Sequence, residues 1–140
     1  MALRVRREQL EQIITQAQAE APNECCGMLA GRGDNVEAVF PGRNKDRSPT
    51  TYLMDPEDQL RAFRQMDERG WELIGIYHSH PRTEAAPSRT DRARALDQEG
   101  NPLFPNTQYM IVSLRDHSQP QVRAFRLAGD EFTEEDVVIS

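Results

Sequence analysis

Apolar positions along this chain follow two rhythms, one of period near 3.6 and one of period two. In LRVRREQLEQIITQAQAEAP, Leu10, Ile13, Ile14 and Ala17 recur at helical spacing, so a short strand should lead into a helix that Pro22 and Asn23 end. ECCGMLAGRGDNVEAVFPG reads as two strands around a turn at residues 33–35. After the polar stretch GRNKDRSPTT, TYLMD predicts a short strand, and Asp55-Pro56 predict a helix start with aspartate as N-cap and proline in the first turn. In that helix Leu60, Ala62, Phe63 and Met66 are expected to face the core, and Gly70 to stop it. WELIGIYHSH is an apolar strand expected at the centre of a sheet, residues 81–87 form a loop, and SRTDRARALDQ starts a third helix. TQYMIVSLRD and PQVRAFRLAG predict two more strands with a turn near residues 117–120, and EEDVVIS an edge strand.

Strands that alternate with helices predict an α/β or α+β layer fold, a mixed central sheet with helices packed against it, rather than an all-β barrel. With 140 residues, no internal repeat and no low-complexity linker, residues 1–140 are expected to form one domain. That length allows a hydrophobic core without disulfides or metals to staple it.

Charge and cysteine usage narrow the function classes. A net charge of −6 weighs against nucleic-acid binding, which needs a basic patch to meet phosphates. The clustered arginines, such as Arg89, Arg92 and Arg94, are accompanied by acids and read as solvated helix faces. No apolar run is long enough to span a bilayer, and MALRVRREQL lacks the apolar segment of a secretory signal. Cys25 and Cys26 are adjacent and would point to opposite faces of a strand, so a disulfide between them is not expected. These features together predict a cytoplasmic protein with no membrane partner.

Candidate chemistry concentrates in YHSHPRTEAAPSRTD. On a strand, His78 and His80 leave the same face, just where an apolar strand gives way to a loop. Two imidazoles on one face are half of a zinc site, although histidines at a strand end also occur for no such reason. Ser88 and Asp91 share one face of the helix that follows, and Asp91 can supply a third ligand. The same pair also reads as an ordinary helix cap. Two neutral imidazoles and one carboxylate would leave a divalent ion with residual positive charge and an open position for water, which suits catalysis better than structure. A hydrolase also needs a proton shuttle, and Glu24, at the mouth of a strand after a Pro-Asn breaker, is the candidate. The alternative for Glu24 is an ordinary exposed glutamate.

The run His78-Ser79-His80, seven residues, Ser88, two residues, Asp91, with Glu24 upstream, resembles the motif of the JAMM (MPN+) zinc metalloproteases. PNECCGMLAGR and SPTTYLMDPEDQLRAF are similar to the matching parts of stand-alone prokaryotic members, and the likeness spans residues 3–127. It implies the MPN/JAMM fold with cytidine-deaminase-like layering. It implies one zinc ion per chain, held by His78, His80 and Asp91. Glu24 would move a proton from water to the leaving amine, and Ser88 would hold the oxyanion. The family hydrolyses amide or isopeptide bonds after the C-terminal Gly-Gly of ubiquitin-like proteins, and prokaryotic members are associated with ubiquitin-like modifiers and sulfur-carrier proteins of the same fold. Such a substrate tail can pair as an added strand, with Arg82, Thr83 and Glu84 lining its groove. A homodimer is compatible with the resemblance. The chain lacks the long insertions and second zinc cluster of linkage-specific deubiquitinases, so ubiquitin-chain cleavage is not expected.

Three other readings remain. The first is a hydrolase that releases a small peptide or an amino acid such as cysteine from a carrier protein. The second is a cupin, in which His78-x-His80-x3-Glu84 binds the metal; Pro81 and the helical segments weigh against it. The third is a non-catalytic MPN scaffold, which the full ligand set disfavours. Ser79 should point away from the site, His117 should lie on the surface, and one of the two cysteines should pack in the core.

Overall fold

The computed structural model describes residues 2–140. Among them the chain forms β1 (Ala2–Val5), α1 (Arg7–Glu20), β2 (Cys26–Arg32), β3 (Asn35–Gly42), α2 (Pro56–Arg69), β4 (Glu72–His80), α3 (Arg89–Arg94), β5 (Gln108–Ser113), β6 (Gln121–Ala128) and β7 (Glu131–Ile139). Local chemistry sets the helix ends. The Arg6 N–H at the start of α1 donates to Gln9 Oε1 at 2.9 Å. Asp55 Oδ1 accepts the Glu57 N–H at 2.8 Å with Pro56 at the first helical position of α2, and Gly70 ends that helix at a φ of 69°. Among the described residues no helix is long and apolar enough to cross a membrane.

The sheet runs in the order β1-β3-β2-β4-β5-β6-β7 and closes on itself. It is mixed, as expected: β4 and β5 are parallel, while β2–β3, β2–β4, β5–β6 and β6–β7 are antiparallel. Closure into a barrel corrects the expectation of a central sheet flanked by helices. β1 runs parallel to β7 through Ala2–Asp136, Leu3–Val137, Arg4–Val138 and Val5–Ile139, and meets β3 at Arg4–Asn35. The last strand is therefore no edge. It begins at Glu131, and its acid-rich sequence EFTEEDVVI is that of a strand with one wet face.

Apolar residues gather into several cores. Leu10, Ile13 and Ala17 of α1 pack with Leu29, Tyr77, Met110 and Val112. Ala62 and Met66 of α2 pack with Cys26, Met28, Ala30 and Met54. Ala95, after α3, packs with Ile76, Tyr109 and Leu127. Cys25 and Cys26 thus enter different cores, and both are fully buried rather than one alone. Burial pushes the Cys25 thiol up to about 12 and raises Cys26 likewise, so neither is a nucleophile.

Three local expectations change. TYLMD forms no strand; only a single bridge joins Met54 to Asn44. Leu60 is 52% exposed, because α2 turns Asp58, Ala62 and Met66 inward. Asp58 tolerates that place because the Arg43 backbone N–H and guanidinium both pair with it, at 2.8 and 3.0 Å. The third helix is only six residues long.

Gly27 lies beneath the Tyr77 ring, and a Cβ there would sit 2.2 Å from ring atoms. Tyr77 is fully buried and its hydroxyl donates to Gln16 Oε1, so the ring has no free space to move into. Gly27→Ala should therefore cost about 1–3 kcal/mol and lower the thermal midpoint. An unchanged midpoint would mean that the ring is not held there.

Candidate metal centre

Strand register assembles the site. Cys26 of β2 pairs with His78 of β4, the Ser79 N–H donates to the Cys25 carbonyl at 3.1 Å, and the next residue back, Glu24, comes level with His80. Glu24, His78 and His80 alternate onto one face, which the N-terminus of α3 covers with Asp91. Ser79 turns away, and its hydroxyl accepts the Cys25 N–H at 2.7 Å.

One atom from each of Glu24, His78, His80 and Asp91 lies within 4.8 Å of the others. All four side chains are buried, at 2%, 1%, 3% and 8% exposure, although every one of them is charged or polar. His78 Nε2, His80 Nε2 and Asp91 Oδ2 form a triangle with sides of 3.1, 3.0 and 3.0 Å. Ser88 sits at the rim as the N-cap. Its Oγ accepts the Asp91 N–H at 3.0 Å and its N–H donates to Asp91 Oδ2 at 2.9 Å, a reciprocal capping box. The proton of the Ser88 hydroxyl is not used in that bond.

These residues fit a divalent cation. His80 Nδ1 lies 2.8 Å from the Glu84 carbonyl and donates to it, so that in the neutral ring the Nε2 lone pair faces Asp91 Oδ2. With His78 in the same tautomer, three acceptor atoms would converge on one point, an arrangement that a cation or a shared proton holds together. Burial drives His78 toward its neutral form. At Asp91 burial opposes the charge, but the contacts with His78 and His80 outweigh it and hold the carboxyl well below the usual range. Glu24 behaves oppositely: burial pushes it up to about 8, partly opposed by His80, and its Oε1 has no hydrogen-bond partner.

Several contributors escaped the sequence reading. Tyr52 stacks on His78 with centroids 4.4 Å apart. Arg94, expected on a solvated face, donates from Nη1 to Asp46 and to the Tyr52 carbonyl. Asn44 is buried within the polar loop at residues 43–55. None of these has a spacing that a motif would mark. Arg82, Thr83 and Glu84 are exposed, as is His117.

Residues 6–128 match the family described as prokaryotic homologs of the JAB domain. The chain belongs to this family. A JAB-domain relative, the CysO-cysteine peptidase of Mycobacterium tuberculosis, is 36% identical over 135 residues, which is 95% of this chain and 88% of that protein. The desampylase of Haloferax volcanii is 34% identical over 126 residues, covering 88% of this chain and 83% of its own. A solution structure of a protein from Desulfitobacterium hafniense superposes with a TM-score of 0.86 at 36% identity, over all of this chain and 93% of that one. The JAB-domain assignment displaces the cupin alternative. In addition, the Glu84 side chain is exposed, and its backbone carbonyl rather than its carboxylate meets His80.

Proposed function

We propose that this JAB-domain protein is a zinc-dependent peptidase that hydrolyses the amide bond after the C-terminal Gly-Gly of a ubiquitin-like or sulfur-carrier protein. The observation that carries the reading is the buried convergence of Glu24, His78, His80 and Asp91 within 4.8 Å. Relatives named as a CysO-cysteine peptidase and a desampylase support the substrate class.

His78, His80 and Asp91 would hold the ion, and a set of two imidazoles and one carboxylate suits zinc with a position left open. Zinc, when bound, supplies Lewis-acid activation of a water molecule and of the scissile carbonyl. Glu24 takes the proton from that water and delivers it to the leaving amine as the C–N bond breaks. Burial raises its carboxyl above the usual carboxylate range, which strengthens it as a proton acceptor. The Ser88 hydroxyl, whose oxygen accepts the Asp91 N–H and whose proton stays available, would donate to the developing oxyanion. Glu84, through its carbonyl, keeps His80 in the tautomer that presents Nε2.

A panel of ubiquitin-fold carriers tests the reading. Each carries after Gly-Gly either a single cysteine, a short peptide or a lysine-linked protein, and intact mass is followed with the zinc-loaded protein. Cleavage after Gly-Gly is expected. A panel left intact while a small amide is cut would mean that no carrier tail is read.

A further inference from the structure

Glu24 is held by its backbone rather than by its carboxylate. Its Oε1 is buried without a hydrogen-bond partner, whereas its N–H donates to the Ser48 carbonyl at 2.8 Å and its carbonyl accepts from Asn44 Nδ2 at 3.0 Å. Both anchors come from the loop at residues 43–55, and Asn44 organises that loop. Asn44 Nδ2 also donates to the Thr51 carbonyl at 3.0 Å, and Asn44 Oδ1 accepts the Asp46 and Leu53 N–H groups, each at 3.0 Å. The side chain is 7% exposed and spends both donor hydrogens and both acceptor sites. Aspartate lacks the donors, and glutamine is one carbon too long for the same four partners.

The loop also reaches the other half of the site. Asp46, whose N–H Asn44 holds, accepts from Arg94 Nη1 at 2.6 Å and from the Thr51 hydroxyl at 2.9 Å. Arg94 donates further to the Tyr52 carbonyl at 2.7 Å, and Tyr52 stacks on His78. Arg94 lies in α3, the short helix that carries Asp91. One amide side chain therefore links the strand mouth that bears Glu24 to the helix that bears a candidate metal ligand.

We propose that Asn44 is a positioning residue that fixes the Glu24 carboxylate relative to His78, His80 and Asp91. The proposal rests on the reading of Glu24 as proton shuttle. All four Asn44 hydrogen bonds go to backbone groups and none to a candidate ligand atom, so its loss should spare metal binding and impair turnover. Misplacing a reacting group by about 1 Å costs up to about 100-fold, and loss of an outer-shell partner about 10–100-fold.

The test compares wild type, Asn44→Asp and Asn44→Ala, all metal-loaded. Asn44→Asp keeps the acceptor for Asp46 and Leu53 but sets an oxygen against the Glu24 and Thr51 carbonyls; Asn44→Ala removes all four bonds. The expected result is one metal ion per chain, KM within about threefold of wild type, kcat lower by about 10–100-fold, and a displaced Glu24 carboxylate in crystals of Asn44→Asp. A kcat within twofold of wild type, even with a lowered thermal midpoint, would make Asn44 a loop-stability residue and overturn the proposal. So would loss of metal, a rise in KM alone, or failure of both variants to fold. If wild type cleaves no carrier, the functional reading fails, while the crystals still decide whether Asn44 places Glu24.

Discussion

Glu24→Ala and Glu24→Gln should each retain about one metal ion per chain and lose about 10²–10⁴-fold in turnover of a carrier extended beyond Gly-Gly. The separation of the two effects follows from geometry. The tight triangle, with sides of 3.0–3.1 Å, is made by His78, His80 and Asp91 alone, and Glu24 enters only the wider 4.8 Å group. Removing its carboxylate leaves the three atoms of the triangle in place. It removes a carboxyl that burial has pushed up to about 8. Glutamine matters as well as alanine, because it keeps the side-chain volume while abolishing proton uptake. Equal damage from both points to the proton rather than to packing. Metal analysis beside steady-state kinetics makes the check. A Glu24→Gln protein with wild-type turnover would assign the proton to another group, and one that has lost its metal would make Glu24 a ligand.

The candidate site was legible because its residues lie on or beside three short pieces of regular structure. His78 and His80 obey the period of a strand, Ser88 and Asp91 that of a helix start, and Glu24 lies two residues before the neighbouring strand β2. Periodicity thus indicates which face each side chain takes. What it cannot indicate is how distant elements close. β1 has only four residues, and the strand ending in Ile139 has a polar outer face, so nothing local announces that they pair and close the sheet. Asp58 was hidden for a related reason. A carboxylate on the inner stripe of α2 is unexpected until Arg43, fifteen residues earlier, is seen to pair with it, and the apolar Leu60 then turns outward. Asn44 sits in a loop without period, and its four partners span residues 24 to 53. Such hubs follow from tertiary hydrogen bonding, and the sequence marks them only as one more polar residue.

Asp91→Ala should abolish metal retention and activity together while the fold survives. Asp91 Oδ2 is the only anionic corner of the triangle, lying 3.0 Å from both Nε2 atoms. Without it two neutral imidazoles remain, and affinity should fall by more than the 10–100-fold that loss of an outer-shell partner costs. The helix start tolerates the change better than the site does. Ser88 Oγ bonds the backbone N–H of residue 91, which alanine also has, so only the return bond from the Ser88 N–H is lost. That loss is of the order of 1 kcal/mol or less. A chelator separates the two effects. Bound metal stabilises the native state by mass action, about 2.7 kcal/mol at a free concentration 100 times Kd. Chelation should therefore lower the wild-type thermal midpoint and leave that of Asp91→Ala unmoved. His78→Ala should behave alike. Full metal in both variants would remove the triangle as the binding site, whatever the activity. Metal held by Glu24→Gln but not by Asp91→Ala would divide the four buried side chains into three that bind and one that moves a proton, the division the distances already draw.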